Sequence, residues 1–411
     1  MKFQRFSPRQ ALTLTWWNNE QFKEHDGLIC DGSIRSGKTL SMAVGYVLWS
    51  MSTFNGHNFA ICGKTIESLR RNVVTLMPQW LEGLFTVTER RSENRLIISG
   101  GGRTNSYYLF GGKDESSYTL VQGMTLAGVL FDEVALMPRS FVEQAMARCS
   151  VPGSKMWFNC NPESPSHWFY IEWIKRARER NMLYLHFTMQ DNLSLAPQIR
   201  QRYENMFSGV FYRRYILGLW CKAEGLVYPM FDGKRHIVDQ IPAPSPRHRY
   251  YVSVDYGTVN PFAAGLWDYS PGDQRAVMVR ELYYRGGSAR RVDNEAYYQM
   301  LKELIGDYPI QYIIIDPSAS SMIETIQKYS EYIAVKADND VLNGIQDVTK
   351  FLNAGALAFH TSCKNTFEEF EAYSWDEDAV EDRVIKEHDH SMDQLRYFCR
   401  TALRSELKWI L

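Results

Sequence analysis

The sequence predicts an α/β protein of two domains, the first a doubly wound, mostly parallel sheet with a phosphate-binding loop, the second with acids at its strand ends. Three observations predict this. Short apolar strands alternate with helical stretches through the first part of the chain. A complete G-x-x-x-x-G-K-[ST] string, Gly32 to Thr39, stands between a strand and a helix. Three prolines at alternate positions in Ile241-Pro242-Ala243-Pro244-Ser245-Pro246-Arg247-His248-Arg249 can enter neither helix nor central strand, and read as an interdomain linker. A length of 411 residues, beyond what one hydrophobic core usually serves, agrees with the division.

In order along the chain, Leu28 to Cys30 is a short strand running into the Gly-rich loop, and Leu40 to Met51 is an apolar stretch of helical length. Phe59-Ala60-Ile61-Cys62 is a second strand, followed by a helical segment from Ile66 to Leu76. Leu96-Ile97-Ile98 and Tyr107-Tyr108-Leu109-Phe110 flank Gly100-Gly101-Gly102 as a hairpin. Leu126 to Phe131 and Met156-Trp157-Phe158 supply two more strands. Tyr170 to about Leu219 reads mostly as helix, a small subdomain with a basic bias from Lys175, Arg176, Arg178, Arg180, Arg200, Arg202, Arg213 and Arg214. The expected division is therefore 1–169 for the nucleotide-binding core, 170–240 for a helical lid, 241–249 for the linker and 250–411 for the second domain.

Composition narrows the class. A net charge of −1 gives no bulk electrostatic case for nucleic acid, which a local basic face would have to supply. Seven cysteines, scattered and never at C-x-x-C spacing, argue against a disulfide framework and against a zinc site, and fit a reducing cytoplasm. No apolar run approaches the roughly 20 residues of a membrane span, and Met1 to Gln10 lacks the apolar stretch of a signal peptide. A soluble protein with no membrane partner is expected.

The loop Gly32-Ser33-Ile34-Arg35-Ser36-Gly37-Lys38-Thr39 lets backbone amides wrap phosphate oxygens. Lys38 is placed to reach the β and γ phosphates, Thr39 to give its hydroxyl to magnesium, and the following helix adds a favourable dipole. Hydrolysis also needs a strand-end carboxylate for magnesium and another to orient water. Leu126-Ala127-Gly128-Val129-Leu130-Phe131-Asp132-Glu133 supplies both, with Asp132 on magnesium and Glu133 as base. Met156-Trp157-Phe158-Asn159-Cys160-Asn161-Pro162 ends in amides suited to sensing a γ phosphate, although an Asn-Pro turn without a role accounts for it equally well. Arg35 and Arg148 are the candidates for stabilising the transition state.

In the second half, Tyr250-Tyr251-Val252-Ser253-Val254-Asp255-Tyr256-Gly257 and Tyr312-Ile313-Ile314-Ile315-Asp316-Pro317 are strands that end in acids. Met392, Leu395, Cys399, Ala402 and Leu403 recur at helical spacing, with Asp389 as N-cap and Asp393 one turn in. Asp255, Asp316 and Asp393 can converge on a pair of metals about 4 Å apart, the arrangement that serves phosphodiester hydrolysis. Oxygen ligands without cysteine favour magnesium or manganese. Each acid alone is equally well a turn residue. Glu281 and His390 are further ligand candidates, with a surface acid and a helix-terminus histidine as their ordinary readings.

The whole order of features resembles the large subunit of tailed-bacteriophage terminases, the motors that package and cut viral DNA. The resemblance spans nearly the full chain. It rests on the loop at Gly32, on Leu130-Phe131-Asp132-Glu133, on Asn161-Pro162 with His167-Trp168, on Leu217-Gly218-Leu219-Trp220, and on Glu224-Gly225-Leu226-Val227-Tyr228-Pro229. Asp255-Tyr256-Gly257, Ile315-Asp316 and Asp389-His390-Ser391-Met392-Asp393-Gln394-Leu395-Arg396-Tyr397 extend it through the second half. It implies a P-loop ATPase domain with a helical lid, followed by an RNase H-like nuclease domain. It implies ATP with magnesium at Lys38, Thr39, Asp132 and Glu133, and a coupling role for the segment at Asn161. Asp255, Asp316 and Asp393 fall on the family's metal-binding aspartates with His390 nearby, and Gln10 falls where many relatives contact adenine. The implied partners are double-stranded DNA, a portal ring and a small terminase subunit, with the large subunit forming a ring of about five copies on the portal and able to exist alone as a monomer. Two departures stand out: Asn159-Cys160 replaces the Thr often found before Asn-Pro, and the loop's arginine falls late, at Arg35.

Two other classes remain open to the sequence. A helicase or repair ATPase with an accessory nuclease would unwind strands, and a P-loop module with a binding-only second domain would cleave nothing.

Overall fold

The computed structural model describes residues 5–241, 243–257, 261–285, 293–379, 381–407 and 410. Two compact units divide the chain, Met1–Gln201 with Tyr212–Lys222 and Arg202–Phe211 with Ala223–Leu411. The proline-rich stretch expected between domains therefore falls within the second unit, and its Pro242 lies outside the described residues.

The first unit is built on eight strands: β1 (Gly27–Gly32), β2 (Asn58–Gly63), β3 (Thr86–Arg90), β4 (Arg95–Gly100), β5 (Arg103–Gly111), β6 (Gly128–Asp132), β7 (Lys155–Asn159) and β8 (Met182–Phe187). Their order is β3-β4-β5-β2-β6-β7-β1-β8. Every pairing from β5 to β8 is parallel, while β3, β4 and β5 run antiparallel, with β4 and β5 forming the expected hairpin. Residue alternation sorts two cores onto the two faces. Leu28, Ile61, Leu130 and Trp157 pack with Met42, Tyr46 and Trp49 of helix Lys38–Thr53. Their neighbours Ile29, Ala60, Val129 and Phe158 pack with Phe141, Val142 and Ala145 of helix Arg139–Ala147. A strand buried on both faces must be apolar throughout, which is why the sequence shows continuous runs here. Asp132, two positions beyond Leu130, lies on the face of helix Lys38–Thr53, beside the phosphate loop that begins this helix.

One expected region differs. Tyr170 to Leu219 holds two wide helical turns (Tyr170–Ile174 and Tyr212–Ile216), the short helix Gly209–Phe211 and helix Pro197–Met206, but Met182–Phe187 is the edge strand β8, paired in parallel with β1. Met182-Leu183-Tyr184-Leu185-His186-Phe187 is a bulky, β-prone hexapeptide whose signal is masked by the arginines around it.

The second unit carries β9 (Ile237–Val238), β10 (Arg249–Asp255), β11 (Phe262–Ser270), β12 (Arg275–Tyr284), β13 (Ile310–Ile315), β14 (Ala334–Lys336) and β15 (Leu357–His360), in the order β14-β13-β10-β11-β12-β15-β9. The antiparallel meander β10-β11-β12, with β13 and β14 added in parallel beside β10, is the RNase H-like arrangement. Tyr250, Val252 and Val254 face helices Asn294–Ile305 and Ser320–Tyr329. The alternate residues face helix His390–Phe398: Tyr251 meets Phe398, and the Ser253 hydroxyl donates to Gln394 at 2.5 Å. Asp255 continues that second row, so alternation aims it at the helix bearing His390 and Asp393.

Candidate nucleotide site and carboxylate cluster

The phosphate loop turns in conformations that side chains resist. Gly32 has φ +124°, and a Cβ there would lie 1.9 Å from the carbonyl oxygen of Phe187; Gly37 has φ +85°, and a Cβ would lie 2.2 Å from Nε2 of Gln10. Lys38 is buried, and its ammonium donates to the carbonyls of Gly32 (3.0 Å) and Ser33 (2.8 Å) and to Oδ1 of Asn161 (3.1 Å). Asn159 donates to Asp132 Oδ1 at 2.6 Å and to the Thr39 hydroxyl at 3.0 Å, and that hydroxyl lies 3.4 Å from Asp132. These groups open onto a cavity of about 510 Å³, also lined by Gln10, Ile34, Arg35, Trp80, Glu133 and Asn192.

Charge explains what the cavity accepts. Burial, and then the adjacent Asp132, push the Glu133 carboxyl up to about 7, against the opposing charges of Lys38 and Arg71. Burial also raises Asp132, while bonds from Asn159 and Thr39 oppose it. Burial lowers Lys38. Glu133 adopts a left-handed backbone, φ +60°, a conformation that costs free energy for a residue with a side chain. Asn159 Oδ1 and Ser33 Oγ are buried without a protein partner. A paired hydroxyl and carboxylate beside unspent acceptors fit a hydrated magnesium ion, and the buried lysine and loop amides fit phosphate oxygens.

Gln10 closes a capping box with Ser7 at the start of helix Pro8–Thr15 and lies against the loop at the cavity wall. Arg35 lines the cavity, with its carbonyl accepting from Asn192 at 2.7 Å. Arg148 does not reach the site. It ends helix Arg139–Ala147, and its carbonyl accepts from the amide of Leu126, before the amino end of β6 and away from Asp132. Sequence spacing placed it one helix beyond Asp132; the helix runs back along the strand and carries it away. Reasoning from the sequence also passed over Asp31. This fully buried acid, one residue before the loop, accepts from His186 (2.9 Å) and from the indole of Trp220 (2.7 Å). Its signal was an acid inside an apolar strand.

In the second unit Asp255 accepts from His390 Nδ1 at 2.8 Å. Burial, and to a lesser degree Asp393, push Asp255 up to about 6. For His390 burial opposes the charged form, but the bond it makes to Asp255 and the charges of Asp255, Asp389 and Glu369 together outweigh it, and the net shift is upward. Asp316 accepts from the Tyr397 hydroxyl (2.7 Å) and the Ser318 amide (2.6 Å). Asp393 pairs with Arg396 (2.5 Å) and Lys386 (3.3 Å). The Tyr397 hydroxyl lies within electrostatic reach of all three aspartates. Tyr397 thus links the three carboxylates electrostatically, while each is engaged by its own proton donor. As they stand, no three or more His, Cys, Asp or Glu among the described residues are gathered closely enough to hold a metal. The donor set of carboxylates and one imidazole suits a hard divalent cation, whose charge would replace that of Lys386 and Arg396.

Two expectations change. Glu281 is partly buried and is not a free surface acid: it accepts from the amides of Asn365 (3.0 Å) and Thr366 (2.7 Å). Asp389 stands at the N-cap of helix His390–Phe398, but its carboxylate faces Lys386 at 3.0 Å and makes no capping bond.

Fold and site together define a P-loop nucleotide-binding protein with an RNase H-like second unit. Residues 29–235 match the family model of the terminase large subunit, T4-like-virus type, N-terminal part. The chain is similar to the large terminase of a thermophilic bacteriophage, at 48% identity over 97% of this chain and 100% of that one, with a TM-score of 0.91. The same phage protein in complex with ADP gives 47% identity and a TM-score of 0.88, and in complex with ATP-gamma-S 46% and 0.87, at the same coverage. No curated protein matches the chain. The chain belongs to the large subunits of bacteriophage terminases. Among its described residues no helix is long and apolar enough to cross a membrane.

Proposed function

We propose that this terminase subunit couples ATP hydrolysis to the movement of double-stranded DNA, and cuts that DNA with a divalent-metal nuclease. The observation that carries the reading is the contact of Thr39, Asp132 and Asn159 beneath Lys38, with Glu133 buried alongside. Similarity to a relative solved with ADP and with ATP-gamma-S supports nucleotide in this cavity.

In this reading Lys38 leaves the Gly32 and Ser33 carbonyls to meet the phosphates, and Thr39 and Asp132 would hold a magnesium ion, which would supply charge neutralisation for the phosphate oxygens. Glu133 takes a proton from the attacking water, for which a pKa near neutrality is suited. Asn161, bonded to Lys38, registers the lysine's departure and passes it along the segment after β7. In the second unit Asp255, Asp316 and Asp393 would hold the divalent metal, which when bound would supply an activated water and charge stabilisation for the leaving oxygen. His390 orients Asp255. The proposed setting is the cytoplasm of an infected cell, transiently on a portal ring, with a small terminase subunit supplying DNA selection and the large subunits acting as a ring.

The test separates the two activities. Glu133→Gln is expected to abolish ATP hydrolysis while plasmid cleavage in manganese persists, and Asp255→Asn to do the reverse. Cleavage that survives Asp255→Asn, or hydrolysis that survives Glu133→Gln, overturns the assignment.

A further inference from the structure

The carboxylate cluster depends on helix His390–Phe398, and that helix does not cap itself. Its free amides at Ser391 and Met392 donate to Oε2 of Glu369, at 2.6 and 3.1 Å. Glu369 is 3% exposed, sits on helix Lys364–Ala372, and its other oxygen accepts from the Tyr283 hydroxyl at 2.7 Å. A buried carboxylate is costly unless its lone pairs are used, and here both oxygens are. Helix Lys364–Ala372 is in turn capped from outside: Cys363 gives no capping bond, and Glu281 receives the amides of Asn365 and Thr366 and the Thr366 hydroxyl (2.6 Å).

Glu281 and Tyr283 are two apart on β12, so they share a face. Tyr283 lies opposite Ala263 on β11, and Ala263 lies opposite Asp255 on β10, an interval of about 10 Å across two strand spacings. A ring therefore closes. It runs from Asp255 across the sheet to Tyr283, through Glu369 to the start of helix His390–Phe398, and back through His390 to Asp255.

We propose that Glu369 is a positioning residue for the metal-binding carboxylates, acting by fixing the start of the helix that carries His390 and Asp393; this rests on the nuclease reading above. Both its oxygens are committed to protein donors, so it acts through the helix rather than on substrate or metal. Glu281 and Tyr283 support it from β12. Partners that orient ligands typically govern 10- to 100-fold in metal affinity.

Titration calorimetry of manganese into the nucleotide-free full chain measures this, with Asp255→Asn identifying the site. Glu369→Gln keeps the shape but loses an acceptor, and is expected to weaken manganese binding about 10-fold or more. Its cleavage should recover as manganese is raised, and its ATP hydrolysis should match the unmutated protein. Glu368→Gln, at a side chain 69% exposed, should change nothing. Combining Glu281→Gln with Glu369→Gln should cost less than the product of the two, since both act along one chain of contacts. A folded Glu369→Gln protein that binds manganese with unchanged affinity overturns the proposal. If that variant does not fold, Tyr283→Phe decides: roughly threefold weaker binding supports the proposal and unchanged binding overturns it. Absence of the manganese site in the unmutated protein would instead be the failure of the nuclease reading. Hydrogen exchange at Ser391 and Met392 then decides on positioning, faster in Glu369→Gln if Glu369 holds the helix and unchanged if it does not.

Discussion

Replacing Glu133 by glutamine should make the first unit more stable while removing its proposed chemistry. In the fold this carboxyl is pushed from its ordinary 4.5 to about 7, by burial first and by Asp132 second. The folded form therefore holds a proton more tightly than the unfolded chain. Such a group contributes stability that is fully present below about 4.5 and is lost as pH rises through about 7. At about 1.4 kcal/mol for each unit of difference, the loss amounts to about 3 kcal/mol at pH 8. Glutamine does not ionise, keeps the side chain's size, and leaves the left-handed backbone unchanged. Urea unfolding without nucleotide or magnesium, followed by tryptophan fluorescence, reports on this unit because it holds most of the tryptophans. At pH 8 the variant is expected to be more stable by up to about 3 kcal/mol, and the advantage should shrink markedly by pH 5. ATP hydrolysis should fall by about 100-fold or more while ATP still binds. Equal stability at both pH values, or retained hydrolysis, would refute the argument that a desolvated carboxylate is kept here for catalysis.

Gly37→Ala should weaken binding of a fluorescent ATP analogue by about 10-fold or more, since its Cβ would meet Gln10 in a backbone conformation that alanine resists. Arg148→Ala should leave ATP hydrolysis by the isolated subunit within about twofold of its starting value, because the residue ends its helix away from Asp132; a large fall in kcat would contradict that placement. Manganese affinity of the carboxylate cluster should fall about tenfold for each pH unit below about 6, where Asp255 takes up its proton, and calorimetry across pH 5 to 8 checks this. A flat profile would remove Asp255 from the ligands.

The sequence by itself determined what short-range rules control. The phosphate loop was legible because eight consecutive residues carry its glycines, lysine and threonine, and because a strand and a helix must flank it. The run ending in Asp132-Glu133 and the strands ending in Asp255 and Asp316 were legible because alternation and burial are local properties of a chain. Tertiary structure alone decided what depends on register and on which distant element comes to lie alongside. Met182–Phe187 became a strand because β1 offered it an edge, despite the arginines around it. Arg148 left the nucleotide site because its helix runs back along the strand that precedes it. Asp389 lost its expected capping role to Glu369, 22 residues away in sequence to Ser391, and Asp255 found His390 across 135 residues. No periodicity encodes such pairings: a carboxylate satisfies whichever buried donors the packing brings within reach, and only the folded chain specifies which they are.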